Sequence, residues 1–334
     1  MRILIITDTW NNINGVVTTL RATKQELENR SHVVQIIEPS QFKSVACPGY
    51  PEVRLSWNLW RMGKLIEQAD PDCIHIATEG PLGLAARTYC KFKTIPYNTS
   101  YHTKFPEYLH VHHHIPITWG YFFMRLFHKY SHRVLVTNHS MQHELHQQGF
   151  KNLVVWNRGV NRQVFNHHSQ QCWDWPRPIL LCVSRVSPEK GLEDFCSLKT
   201  TGTKVLVGDG PNLNHLRDHY PDVKFLGYKT GSQLAQCYSS ADVFVFPSKT
   251  DTFGVVMLEA MACGTPVAAY PVTGPLDVIE CGINGFMHDD LHHAVSECVN
   301  LDRNTVAATS AKFSWQACTD IFEQNIVQIP KIPA

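Results

Sequence analysis

Short runs of apolar residues, regularly separated by longer amphipathic stretches, limit the folds open to this sequence. Arg2 to Ile6, Val33 to Ile37, Cys73 to Ala77 and Val134 to Thr137 read as strands in the first half. Ile179 to Val183, Lys204 to Val207, Val223 to Leu226, Val243 to Phe246 and Val267 to Ala269 do so in the second. A strand with one wet face alternates apolar and polar residues; continuous apolar runs call for cover on both faces. Such strands alternating with helices predict parallel sheets between two helix layers, and the pattern occurs twice. The expected class is α/β, two doubly wound domains, which place ligands at the carboxyl ends of their strands. A chain of 334 residues, 43% hydrophobic and 18% charged, suits two globular domains.

Periodicity is lost from Asn157 to Pro178, where Trp, Pro, His and Gln gather. The expected division is residues 1–157, residues 158–313 and a last helix within 314–334. No run of about 18 apolar residues predicts a membrane span. MRILIITD reads as a first strand rather than a signal-peptide core. The 11 Cys lack CxxC spacing, and those in apolar strands, Cys73 and Cys182, suit reduced thiols in the cytoplasm. Net charge is +1 and hides an asymmetry: residues 1–157 hold 16 Lys and Arg against 11 Asp and Glu, the remainder 14 against 18. A basic half suggests an anionic partner or only surface composition.

Phe246 to Ala269 runs from a strand end through a polar turn into a helix that Gly264 and Pro266 stop. Backbone N–H groups at such a helix start favour an anion, and Gly254 permits close approach. Asp251 and Glu259 punctuate the segment. On a continuous helix their separation is a rise of about 12 Å, longer than the roughly 5–9.5 Å of a glycosidase acid/base pair. They either hold two ends of one long ligand or punctuate a buried helix whose core is Val255, Val256, Leu258, Met261 and Ala262.

Three other motifs follow predicted strands. Thr7 to Val17, TDTWNNINGVV, is a polar loop with Asn14 and Gly15 at a helix start. Tyr97 to Tyr108, YNTSYHTKFPEY, sets His102 between hydrogen-bonding neighbours, including Tyr101 and Thr103; a lone His there is either structural or orients a sugar. Cys182 to Leu192, CVSRVSPEKGL, carries Arg185 and Lys190, either a solvated pair or a clamp on a diphosphate.

Taken in order, TDTW, NGVV, HTKFPEY, SRVSPEKG, VGDGP, FLGY, PSKTDTFG and YPVTGP resemble the retaining glycosyltransferases of family 4, over most of residues 2 to 325. The resemblance implies the GT-B fold, with a final helix crossing back onto the first domain and reaction in a cleft between the two. It implies that a nucleoside diphosphate-sugar binds mainly the second domain. Asp251 would contact the donor sugar, Glu259 the ribose, and the turn of Phe253, Gly254 and Val255 the diphosphate. Asp251 stands where most of the family has Glu. Arg185 and Lys190 would neutralise the leaving diphosphate, with Ser184 in place of the commoner Gly. Gly15 would meet donor phosphate, Gly208 and Gly227 would shape the base pocket, and His102 would touch the sugar. Asn14, Tyr101, His102 and Thr103 would form the acceptor side. The resemblance extends to bacterial enzymes that glycosylate lipids such as diacylglycerol, which implies a lipid or saccharide acceptor and a peripheral position on the inner face of the plasma membrane. Front-face attack is expected, without a metal, a cofactor or a nucleic-acid partner. Two rivals use the same residues: a nucleotide-sugar epimerase and a non-catalytic nucleotide-sugar- or membrane-binding module.

Other features are read as ordinary. Asp70-Pro71-Asp72 precedes a strand and reads as a turn. The histidines of His110 to His114, and the pair His128 and His132, read as an exposed His-rich surface. Two aromatic-basic groups, Ile115 to Lys129 and the set Arg54, Trp57, Trp60, Arg61 and Lys64, suit either an anionic membrane surface or a core-facing helix.

Overall fold

The computed structural model describes residues 1–11, 14–47, 50–107, 110, 114–167 and 172–330. The chain forms two compact units, Met1–Asn157 with Trp315–Ala334, and Arg158–Ser314.

The first unit runs β1 (Arg2–Ile6), α1 (Gly15–Asn29), β2 (Val33–Ile37), β3 (Ser44–Cys47), β4 (Tyr50–Ser56), α2 (Met62–Ala69), β5 (Cys73–Ile76) and α3 (Pro81–Phe92). It continues with β6 (Asn98–Tyr101), α4 (Ile117–His128), β7 (Val134–Val136), α5 (His139–Gln147) and β8 (Leu153–Val155). The main sheet is parallel, in the order β2-β1-β5-β6-β7-β8, and β3 and β4 pair as a separate antiparallel hairpin. Alternation along β1 sends Leu4 and Ile6 to the cluster of Ile66, Leu82 and Ala86, and Ile3 and Ile5 to that of Leu20 and Leu27. Both faces are thus covered, which is why the strand is apolar throughout. Each of these fully buried side chains contributes about 1.5–3 kcal/mol.

The second unit repeats the plan: β9 (Ile179–Val183), α6 (Leu192–Cys196), β10 (Thr203–Val207), α7 (Leu213–His219), β11 (Val223–Phe225), α8 (Gly231–Ser240) and β12 (Val243–Phe246). Then come α9 (Val255–Ala262), β13 (Val267–Ala269), α10 (Pro275–Val278), β14 (Gly285–Met287), α11 (Leu291–Cys298) and α12 (Arg303–Thr309). Its sheet, also parallel, has the order β11-β10-β9-β12-β13-β14. The last helix, α13 (Trp315–Asn325), belongs to the first unit. Trp156 Nε1 donates to the Cys318 carbonyl at 3.0 Å, and Arg30 pairs with Asp320 and Glu323 at 2.6 and 2.9 Å.

All nine expected strands are present, and β3, β4, β6, β8 and β14 join them. β6, with the sequence NTSY, is fully buried yet mostly polar. The polar groups of its first three residues are individually matched: Asn98 Nδ2 donates to the Asn325 carbonyl at 2.7 Å, Thr99 Oγ1 meets His128 Nδ1 at 2.8 Å, and Ser100 Oγ meets His75 Nε2 at 2.6 Å. Side-chain pairing substitutes there for apolar burial.

Candidate active site

β9 and β12 are neighbours, so the loops leaving their carboxyl ends lie side by side. Gly191 holds them together: its φ is +63°, and a Cβ would stand 2.7 Å from the Pro247 carbonyl oxygen. This approach brings Lys190, at the end of the 3-10 turn Pro188–Lys190, to Asp251 across 61 positions of sequence. Lys190 Nζ lies 2.5 Å from Asp251 Oδ1, both side chains partly exposed. A pair so wet is worth about 1 kcal/mol or less and is readily repartitioned when a stronger anion arrives. Beside it, Arg185 Nη2 and Ser187 Oγ donate to one oxygen of Glu189, at 2.5 and 2.6 Å. Burial raises the Glu189 carboxyl, but the hydrogen bonds from Ser187, its own backbone and Arg185 prevail and hold it below the usual range.

Asp251 is four residues short of α9, so the helical rise between it and Glu259 does not apply. A turn joins them, capped by Gly254 at φ +84°. Leu258, Met261 and Ala262 are buried as expected, while Val255 and Val256 are only partly so. Glu259 keeps partial exposure and accepts a hydrogen bond from the Tyr238 hydroxyl of α8 at 3.0 Å. Burial pushes its carboxyl up to about 7, the Tyr238 bond pulling the other way. The Phe253 ring is 5% exposed and packs edge-on to Phe313 at 6.4 Å, so its side chain is core and only its backbone stands in the turn. Gly208 is there for packing, since a Cβ would fall 1.8 Å from the Ser184 carbonyl oxygen. Gly227 has φ +67° and open space where a Cβ would point.

In the first unit Asn14 caps α1: Oδ1 accepts from Val17 N at 2.9 Å and Nδ2 donates to Thr9 Oγ1 at 3.1 Å. At Gly15 a Cβ would meet nothing within 4 Å, so the fold does not require glycine there. His102 is buried just past β6, its ring centroid 5.7 Å from that of Trp156, and Thr103 is exposed. Tyr101 corrects the sequence reading. Its side chain is wholly buried with Met124, Met141 and Phe150, because strand alternation turns it to the side opposite Ser100, and it offers no surface to an acceptor.

Three residues to which the sequence reading assigned no role contribute here: Glu189 and Asp8 in the loops, and Tyr238 on α8. Asp8 follows β1 and accepts from Leu82 N at 2.8 Å, Gly83 N at 3.3 Å and Thr78 Oγ1 at 2.8 Å, so it caps α3 from another segment. Burial raises its carboxyl, with those hydrogen bonds opposing. Its place directly after a strand in TDTW was the available signal; the partners of Glu189 and Tyr238 had none.

Asp70 and Asp72 are turn residues, paired with the Arg2 side chain at 2.5 Å and backbone N–H at 2.7 Å respectively. The reading of His128 as exposed is overturned: it is buried at the end of α4, bonded to Thr99 and 3.4 Å from Glu79, while His132 lies beyond the helix. Of His110 to His114, residues 111–113 lie outside the described ones. Among the described residues no group of three or more His, Cys, Asp or Glu is placed to hold a metal. No helix among them is long and apolar enough to cross a membrane. Trp57 and Trp60 are exposed, edge-to-face at 5.9 Å, and Arg54 turns to Ser44.

Residues 13–164 match the family model described as Glycosyltransferase Family 4, and residues 177–301 the one described as Glycosyl transferases group 1. The chain belongs to glycosyltransferase family 4. This glycosyltransferase is 27% identical to a GDP-mannose-dependent alpha-mannosyltransferase of Corynebacterium glutamicum, over 86% of its own length and 77% of the relative's. It is 26% identical to the alpha-monoglucosyldiacylglycerol synthase of Streptococcus pneumoniae, over 81% and 71%. Among solved structures it resembles Anabaena HepE in complex with UDP-glucose, with a TM-score of 0.71 over 96% of this chain and 98% of that one, at 17% identity. At that identity the likeness speaks for the fold, two Rossmann-like units of the GT-B class. The family 4 glycosyltransferase is an enzyme that uses nucleotide sugars.

Proposed function

We propose that this glycosyltransferase moves a hexose from a nucleoside diphosphate-sugar to a hydroxyl of a membrane lipid of the diacylglycerol class, with retention, at the inner face of the plasma membrane. The observation that carries the donor side is the convergence of Arg185, Lys190 and Asp251 at the carboxyl ends of β9 and β12, with Glu259 one turn into α9. Support for the lipid comes from the diacylglycerol product named for the pneumococcal relative.

In this reading the diphosphate draws Lys190 from Asp251 and Arg185 from Glu189. Two cations and the N–H groups after Gly254 then face the charge that grows on the leaving group, the electrostatic contribution that usually dominates such catalysis. Asp251, released from Lys190, holds sugar hydroxyls, and the ionised Glu259 accepts from the ribose. The acceptor oxygen attacks the anomeric carbon on the face the diphosphate leaves. The bond to the phosphate oxygen breaks with its electron pair, and that oxygen takes the acceptor's proton. The two cations supply the charge a metal would otherwise bring, so turnover is expected to survive EDTA.

Incubation with UDP- and GDP-sugars, with and without membrane lipid extract, tests the proposal through nucleoside diphosphate release. Lipid-dependent release with a glycolipid product is expected. Isomerised donor without acceptor would replace transfer with epimerisation, and binding without turnover would leave a binding module. Lys190→Ala should lower kcat by about 100-fold or more with the thermal transition unchanged, and His102→Ala, which empties a buried site beside Trp156, should do so with a modest fall in Tm. A near-normal rate in either variant removes that residue from the mechanism.

A further inference from the structure

We infer that the outer face of α4 is a docking surface for an anionic lipid bilayer. The helix is apolar on both sides. Its inner side, Gly120, Tyr121, Met124 and Phe127, is buried. Its outer side presents Trp119 at 73% exposure, Phe122 at 64%, Leu126 at 48% and Phe123 at 38%. At 100° per residue these four fall within one sector of the helix, a contiguous exposed apolar patch of the kind that marks an interaction surface. The neighbouring α3 extends the surface: Arg87 donates from it to the carbonyls of Leu126 and Phe127, and Phe92 at its end is 84% exposed.

The charge around this face selects the occupant. Residues 80–106 and 108–143 contain seven Lys and Arg and not one Asp or Glu. Lys91, Lys93 and Lys129 are exposed, and the ring of Tyr130 gathers Lys91 at 4.3 Å, Lys129 at 5.5 Å and Arg87 at 5.6 Å. Among the described residues four carboxylates reach these elements: Glu79 is buried against His128, Glu107 accepts from the Tyr121 hydroxyl, Glu144 pairs with Lys104, and exposed Glu67 accepts from the Tyr89 hydroxyl of α3, so the cations stay in excess. Aromatic side chains ringed by cations fit an interface of acyl chains and anionic headgroups. A second copy would oppose two like-charged rims across a twofold axis, which disfavours self-association.

The purpose of the surface rests on the lipid-acceptor reading, but its test does not. Full-length protein is sedimented, without donor or acceptor, with vesicles of phosphatidylcholine alone and with vesicles of equal parts phosphatidylcholine and phosphatidylglycerol. Binding to the anionic vesicles is expected, weakened by salt. Trp119→Ser/Phe122→Ser, both at exposed positions, should lose at least tenfold in affinity with the thermal transition unchanged. Lys91→Gln/Lys129→Gln should lose most of the preference for anionic over neutral vesicles. Equal sedimentation of the aromatic variant and the wild type, or none by the wild type, overturns the inference. A wild-type dimer that this variant converts to monomer would give the face to a second copy and overturn it as well. Donor turnover on detergent-dispersed acceptor is measured in parallel, so failure of docking and failure of the transferase reading are separately visible.

Discussion

The Tyr238 hydroxyl occupies one oxygen of Glu259 and leaves the other for a ligand. Because that bond favours the ionised carboxyl, Tyr238→Phe should move a group already at about 7 further up. At neutral pH more of it is then protonated and a weaker acceptor for the ribose hydroxyls. The donor KM should rise by about tenfold, roughly the worth of one hydrogen bond to a charged group, with kcat little changed and the KM-pH profile shifted upward. An unchanged profile would show that Tyr238 does not act through Glu259. The same carboxyl bears on stability. Its folded value lies above its unfolded one, so ionisation costs stability, absent below about 4.5 and complete above about 7. Glu259→Gln keeps an acceptor for Tyr238 and should raise the Tm of ligand-free protein at alkaline pH by about 2–4 °C, while weakening the donor. Such partnerships escape a reading of motifs. Lys190 and Asp251 are each conspicuous in their own segments, but their pairing across 61 positions exists only once Gly191 has brought the loops together.

At the scale of elements, strands buried on both faces announce themselves because nothing but apolar side chains suits them. β6 does not, since its polar residues are satisfied one by one from α4, β5 and the segment around α13, none near in sequence. β8 and β14 also escape it: each is a short edge strand and mostly only partly buried. The glycines separate in the same way, alike in sequence and different in cause. Gly208→Ala would drive a Cβ to 1.8 Å from a carbonyl oxygen, so the backbone of β10 or β9 must move. That variant should lose about 1–3 kcal/mol, the usual cost of overpacking, read as a fall in Tm. Gly15→Ala meets no protein atom, and alanine is the better helix former. It should fold at least as stably as the wild type yet bind donor more weakly, because the only thing its methyl group can obstruct is a ligand. Equal donor affinity in Gly15→Ala would place the phosphate elsewhere.

At the scale of the whole molecule, the first unit is completed by the last segment of the chain. α13 supplies Trp315, Cys318 and Phe322 to the cluster that backs β1, and Val327 N donates to the Asn98 side chain of β6 at 2.9 Å. His75 lies beneath it, fully buried between the rings of Trp156 and Phe322, with centroids at 5.9 and 5.0 Å. Burial lowers this imidazole to about 3. Its folded value lies below its unfolded one, so the neutral ring's stability is complete above about 6.5 and is lost as pH falls toward 3. The lost stability at pH 5 amounts to about 2 kcal/mol on the ordinary conversion of pKa shifts. The first unit should therefore fail first in acid, and α13 should come away with it, since the protonated ring sits where that helix docks. His75→Gln keeps a partner for Ser100 and cannot take the charge. Whatever packing it costs at neutral pH, its stability should fall less between pH 7 and pH 5 than the wild type's. Equal slopes in denaturant titrations at the two pH values would assign the acid sensitivity to another group and leave His75 as packing alone.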